Sequence, residues 1–202
     1  MGQPRSFARG SHWRSRLAHD IFTSMPTTRE VLDTTIALEK QSMALYASFA
    51  KLFASDLALH DFWFGMARDE ARHVGALGLV ATVLELEGKL DQPSPVSFDD
   101  AAIVRLRGLH AEFENRAKPG LTLEQALKIA LEVEETELED LVADLLKAVK
   151  SDEYGRCLRL LVHDLGELSY MIEQNSQDPE LLRRCDALVN RHAEELRKSA
   201  AH

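Results

Sequence analysis

From Thr27 to Gly88 the apolar residues recur at helical spacing with one short break, which restricts this stretch to two long helices lying side by side. Thr27-Thr-Arg-Glu30 is a capping box, and Val31, Leu32, Ile36, Leu38, Met43, Tyr46, Phe49 and Phe53 then mark one face of a helix to about residue 54. After a turn around Ser55 a second helix is expected over residues 57–87, through Trp63, Met66, Val74, Leu77, Val80 and Leu84. Gly88 sits where a C-terminal cap belongs. A connection this short makes the two helices antiparallel neighbours.

Asp91-Gln-Pro-Ser-Pro95 breaks the pattern, residues 98–116 form a shorter amphipathic helix, and Lys118-Pro-Gly120 breaks it again. A connector of roughly thirty residues can carry the chain back along the whole bundle. Thr122-Leu-Glu-Gln125 is a second capping box, opening a third main helix expected to reach about Val149. Ser151 opens a fourth, to about Gln174, and Asp178-Pro179 caps a fifth. No strand pattern interrupts this series, so the fold class is all-α. We divide the chain into an arginine-containing extension at 1–26, expected to be disordered, a four-helix bundle at 27–176 and a C-terminal helix at 177–202 packed on or beside it.

Composition narrows the function. The 202 residues suffice for a sizeable core, and 10 Gly and 6 Pro are too few for many turns. A net charge of −9 argues against general nucleic-acid binding, which needs a basic surface, and no apolar run reaches the roughly 18 residues of a membrane span. The two cysteines, Cys157 and Cys185, form no Cys-x-x-Cys pair, so zinc ribbons and four-cysteine iron sites are out. Both read as small buried hydrophobes of a reducing compartment, and the expected location is the cytoplasm.

Glu70-Ala-Arg-His73 is the feature that carries chemistry. Residues three apart share a helix face, so both side chains would enter the space between helices, where a carboxylate is costly unless a cation sits beside it. Alone the motif is weak, since surface pairs and hydrogen-bonded core histidines show the same spacing. Other ligands must come from elsewhere in the chain. Aligning the third helix on the first by their apolar stripes sets Leu32, Ile36, Glu39, Met43 and Tyr46 against Leu127, Leu131, Glu134, Leu138 and Leu141. A single glutamate holds the same place in each stripe. Glu39 could instead be a solvated acid, but Ile36 and Met43 share its face; Glu134 belongs to the acidic run Glu132-Val-Glu-Glu-Thr-Glu137, part of which must meet water.

The fourth helix has three registers against Glu70 and His73. Placing Asp164 opposite Glu70 sets Cys157, Leu160, Leu161, Leu168 and Met171 opposite apolar partners; starting from His163 or Glu167 buries arginines or further polar groups. The inward set is therefore Glu39, Glu70, His73, Glu134, Asp164 and Glu167, with Glu137 one turn beyond Glu134, and His163 falls at the surface or behind the ligands. Hard oxygen donors with one imidazole suit iron or manganese, and so many carboxylates would repel one another without cations, which argues for two metal ions. Phe62, Trp63 and Phe64 read as packing at the end of the core.

These residues resemble the ferritin-like diiron carboxylate superfamily, with the rubrerythrin-like branch nearest, over roughly residues 28–175. Members place a Glu on each of helices 1 and 3 and a Glu-x-x-His on each of helices 2 and 4. Glu39, Glu134 and Glu70-x-x-His73 match; Asp164-x-x-Glu167 departs from the second Glu-x-x-His. By the same resemblance Tyr46 corresponds to a tyrosine that hydrogen-bonds near the metals, and Glu137 to an additional glutamate associated with ligand switching between oxidation states.

The resemblance implies a ferritin-like bundle with a long helical crossover and two Fe ions, with Mn as an alternative at one position. It further implies oxidation of Fe(II) or reduction of peroxide or O2, with an external electron-donor protein for peroxide reduction, since no rubredoxin-like module is present. Homo-oligomers fit this pattern; membrane and nucleic-acid partners have no support. The missing histidine supports a second reading, a catalytically reduced bundle acting in metal sensing or protein interaction.

Overall fold

The computed structural model describes residues 25–94, 96–99, 101–116, 120–136 and 153–199. Six helices account for nearly all of these: α1 (Thr28–Leu52), α2 (Leu57–Leu86), α3 (Ala101–Arg116), α4 (Leu123–Glu134), α5 (Glu153–Asn175) and α6 (Pro179–Ser199). The fold is all-α; among the described residues the β structure is one isolated bridge between Thr27 and Pro93. No helix among them is long and apolar enough to cross a membrane.

The helix ends follow from local chemistry. Thr27 and Glu30 close their capping box, as do Thr122 and Gln125, and the Asp56 side chain accepts from the amides of Ala58 and Leu59 at the start of α2. Asp178 accepts from Glu180 N at 2.9 Å and Leu181 N at 3.4 Å, with Pro179 as the first residue of α6. At the other end of α2, Gly88 adopts φ 67°, and the amides of Gly88 and Lys89 donate to Glu85 O at 3.0 Å and Leu84 O at 2.8 Å. This is a Schellman cap, and only glycine reaches its left-handed backbone without strain.

α1 and α2 run antiparallel along their full length. Arg29 at the start of α1 pairs with Glu85 in the last turn of α2 and with Asp91 beyond it, while Phe49 and Phe53 at the other end pack on Trp63. The loop after α2 returns to pin the start of α1, through Thr28 N donating to Gln92 O and Ser94 N to Pro26 O. Trp63 is fully buried amid Tyr46, Phe49, Phe53 and Phe62, whereas Phe64 is exposed and stacks on His60. Each buried ring of this kind stabilises the fold by roughly 2–3 kcal/mol.

α4 and α5 are also antiparallel, the Ser176 hydroxyl just past α5 donating to Glu124 in the first turn of α4 at 3.0 Å. α6 folds back on α5, with Leu181, Cys185, Leu188 and His192 buried at alternating spacings of four and three, and it also meets α4. α3 packs against α1 and α4. Both cysteines are free.

Two expectations are corrected. α4 ends at Glu134, and Glu135 and Thr136 form a turn in place of the expected unbroken helix through these residues. The acidic run offers no basic partner one turn on, and Arg105 of α3 donates to the Glu135 carbonyl at 2.8 Å, placing a cation where the helix dipole is negative. Arg184 of α6 grips the Glu135 carboxylate from the other side, at 2.9 and 2.5 Å. The expected positions at 137–149, Glu137, Leu138 and Leu141 included, lie outside the described residues. The second correction concerns α5: of the expected stripe Cys157, Leu160, Leu161, Leu168 and Met171, Leu161 and Leu168 are buried, while Leu158, Leu165 and Ile172 take the buried places beside Cys157, Leu160 and Met171, which are half-buried. The helix is turned because it must face α6 as well as α2 and α4.

Candidate metal centre

Glu39 sits midway along α1 on the stripe Leu32, Thr35, Glu39, Ser42 and Tyr46, all buried, and Glu70 and His73 face it from α2. One ligand atom from each of Glu39, Glu70 and His73 lies within 4.8 Å of the others, and all three residues are at most 6% exposed. His73 Nδ1 stands 3.4 Å from Glu70 Oε2 and 3.7 Å from Glu39 Oε2. Among the described residues Glu39 Oε1, Glu70 Oε2 and His73 Nδ1 have no hydrogen-bond partner. An orphaned buried polar atom costs about 1–3 kcal/mol, so three in one cluster are a costly arrangement unless they hold something. Three convergent lone-pair donors fit a cation.

The protonation states say the same. Burial opposes ionisation of Glu39, but the neighbouring His73 outweighs it and holds the carboxyl below its usual range. Burial, together with the Glu39 charge, pushes Glu70 well above the carboxylate range. His73 is raised well above the usual imidazole value, burial being overcome by its two carboxylate neighbours. Two protons thus neutralise a cluster that a divalent cation would neutralise in their place.

Beyond this trio stand two further acids. Glu134 on α4 is buried, and the Tyr46 hydroxyl donates to its Oε1 at 2.6 Å. Burial nonetheless pushes Glu134 up to about 7, with Tyr46 and His73 pulling against it and Glu39 and Asp164 adding to it. Asp164 on α5 is buried with Oδ2 unpartnered among the described residues, and burial pushes it up to about 6, His163 opposing and Asp69 adding.

Glu70, His73, Glu39, Glu134, Asp164 and Tyr46 therefore all enter the interior. Glu167 does not: its side chain is 53% exposed and lies 3.7 Å from His163 Nε2. The turn of α5 that buries Leu165 and Leu168 swings Glu167 outward, and His163, expected at the surface or behind a ligand, is exposed with Nδ1 3.1 Å from Asp164 Oδ1. Two groups escaped the sequence reading. Asp69 is buried beside Asp164, ion-paired to Arg72 and, at 3.8 Å, to Arg68; its spacing from Phe62, Met66 and His73 gives its face away. His110 on α3 is buried with Ile103, Leu106 and Phe113 at helical spacing, and its Nε2 is 3.2 Å from Ser42 Oγ.

Comparison with protein families, with curated proteins and with solved structures finds no match for this chain.

Proposed function

We propose that the chain is a ferritin-like non-haem metal-carboxylate protein that oxidises Fe(II) or reduces peroxide or O2. One observation carries this reading: three unpartnered donor atoms, of Glu39, Glu70 and His73, converge in the interior between α1 and α2. Two carboxylates with one imidazole suit iron or manganese better than softer-ligand metals. Glu39, Glu70 and His73 would hold the first ion, and Glu134 and Asp164 would supply carboxylates for a second. Bound iron would supply the electron transfer with O2 or peroxide.

The protein's own residues bind, orient and exclude water. Tyr46 fixes the Glu134 carboxylate from one side, and the ring cluster around Trp63 keeps that end of the site dry. In this reading α1, α2, α4 and α5 are the four rods of the bundle, α3 lies on the long crossover and α6 is an addition. The antiparallel pairs α1–α2 and α4–α5 support it. The protein would act in the cytoplasm and draw electrons from a separate donor protein when it reduces peroxide.

Aerobic addition of Fe(II) to the metal-free chain should raise ferric absorbance in the near ultraviolet, and Glu70→Ala should abolish it. Equal absorbance in both proteins sinks the assignment. The outward turn of Glu167 favours a second reading, a catalytically reduced bundle that senses a single metal ion; it predicts tight binding of one ion per chain without oxidation of added Fe(II).

A further inference from the structure

Between α1 and α3 lies a groove of about 320 Å³, with Ala37 of α1 and Ala111 of α3 in its lining. Its walls are polar and bear positive charge, although the chain as a whole carries −9. Thr34 and Gln41 contribute a hydroxyl and an amide from α1; Arg107 and His110 come from successive turns of α3. The Arg107 guanidinium lies over the Phe98 ring at 5.6 Å and meets no carboxylate among the described residues. In an acidic protein an arginine directed at a groove without an acid partner is a vacancy for an anion.

His110 adds direction. Ser42 is buried, and its hydroxyl's one hydrogen bond among the described residues is to His110 Nε2, so the O–H must donate there to be satisfied. The neutral ring then carries its proton on Nδ1, leaving that N–H for the groove it lines. Burial holds the imidazole below its usual value and so keeps the ring neutral at neutral pH, while the Ser42 hydrogen bond selects the tautomer.

We propose that the groove between α1 and α3 is a binding site for a small oxyanion, a phosphate or a carboxylate, held by Arg107, the His110 N–H, Gln41 and Thr34. None of the four groups is a residue of the metal centre, although His110 senses the charge of Glu39. Ala37, Leu38 and Ala111 supply the apolar part of the lining, and the volume suits a ligand of a few heavy atoms.

The test is an NMR titration of the isotope-labelled chain with inorganic phosphate and, separately, with succinate, each against sodium chloride of equal ionic strength. Saturable shifts of the Thr34, Gln41 and His110 resonances are expected with at least one probe, and the tighter probe identifies the oxyanion class. Arg107→Gln should weaken binding by roughly tenfold or more, the worth of a charge-assisted hydrogen bond. Ala37→Leu, which fills the groove from an exposed position, should abolish it, while Lys51→Gln, removing the same charge from the far end of α1, should leave it intact. Shifts that sodium chloride reproduces, shifts confined to the arginines around Glu135, or undiminished binding in both Arg107→Gln and Ala37→Leu would overturn the proposal.

Discussion

The Tyr46 hydroxyl donates to the Glu134 carboxylate at 2.6 Å, a buried hydrogen bond that joins α1 to α4 across the interior. Tyr46→Phe would leave the Glu134 oxygen without this donor while keeping the ring against Trp63. We expect a loss of about 1–3 kcal/mol in urea denaturation, the cost of an unsatisfied buried acceptor. It should also raise the Glu134 titration above about 7, readable by NMR of the labelled carboxyl. A loss indistinguishable from zero means the bond does not hold the site together.

The metal-free protein should be more stable at pH 5 than at pH 8. Glu134 titrates at about 7 when folded against a usual value of 4.5, so its stabilising protonation is complete below 4.5 and is lost as pH rises through 7. Glu70 and His73, both raised, act in the same direction, and His110, lowered, opposes them in part. The shift of Glu134 alone corresponds to a fall on the order of 2–3 kcal/mol over this window. Denaturation midpoints that rise from pH 5 to 8 contradict the assignment. Saturating metal should flatten or reverse the slope, because a cation replaces the protons.

Asp164 lies in a buried pair with Asp69, and its carboxyl is pushed up to about 6. Asp164→Asn should therefore stabilise the metal-free chain at pH 8, by roughly 1 kcal/mol, and change little at pH 5, where the acid is already protonated. Thermal melts at the two pH values separate these outcomes; equal effects at both would point to packing instead of charge.

Gly88→Ala should cost about 1 kcal/mol from backbone strain alone, because φ is +67° and nothing lies within 4 Å of an added Cβ. The melting temperature of that variant, set beside Gly75→Ala in the middle of α2, isolates the conformational contribution. Gly75 has equally open space and ordinary helical backbone, so alanine there should stabilise.

Features that depend on a few neighbouring residues were readable in the sequence: the boxes at Thr27 and Thr122, the caps at Asp178 and Gly88, and the shared face of Glu70 and His73. Glu39 was readable for the same reason, as the acid in an apolar stripe. What failed depended on contacts between distant elements. The end of α4 is set by Arg105 and Arg184, from helices far along the chain, and no spacing within Glu132–Glu137 encodes them. The outward position of Glu167 follows from the wide contact of α5 with α6, which draws Leu158, Leu165 and Ile172 inward beside the expected Leu161, Asp164 and Leu168. Asp69 and His110 did carry a periodic signal, but a polar residue flanked by arginines, or on a connector, reads as surface until the packing is known.

The central claim is that Glu39, Glu70 and His73 hold a cation, and metal content per chain tests it most directly. Protein made in iron- and manganese-supplemented medium should retain about one ion per chain or more by elemental analysis, and Glu70→Ala and His73→Ala should lose it while keeping their helical circular dichroism. Equal metal content in the wild type and both variants, or none in any of them, contradicts the account.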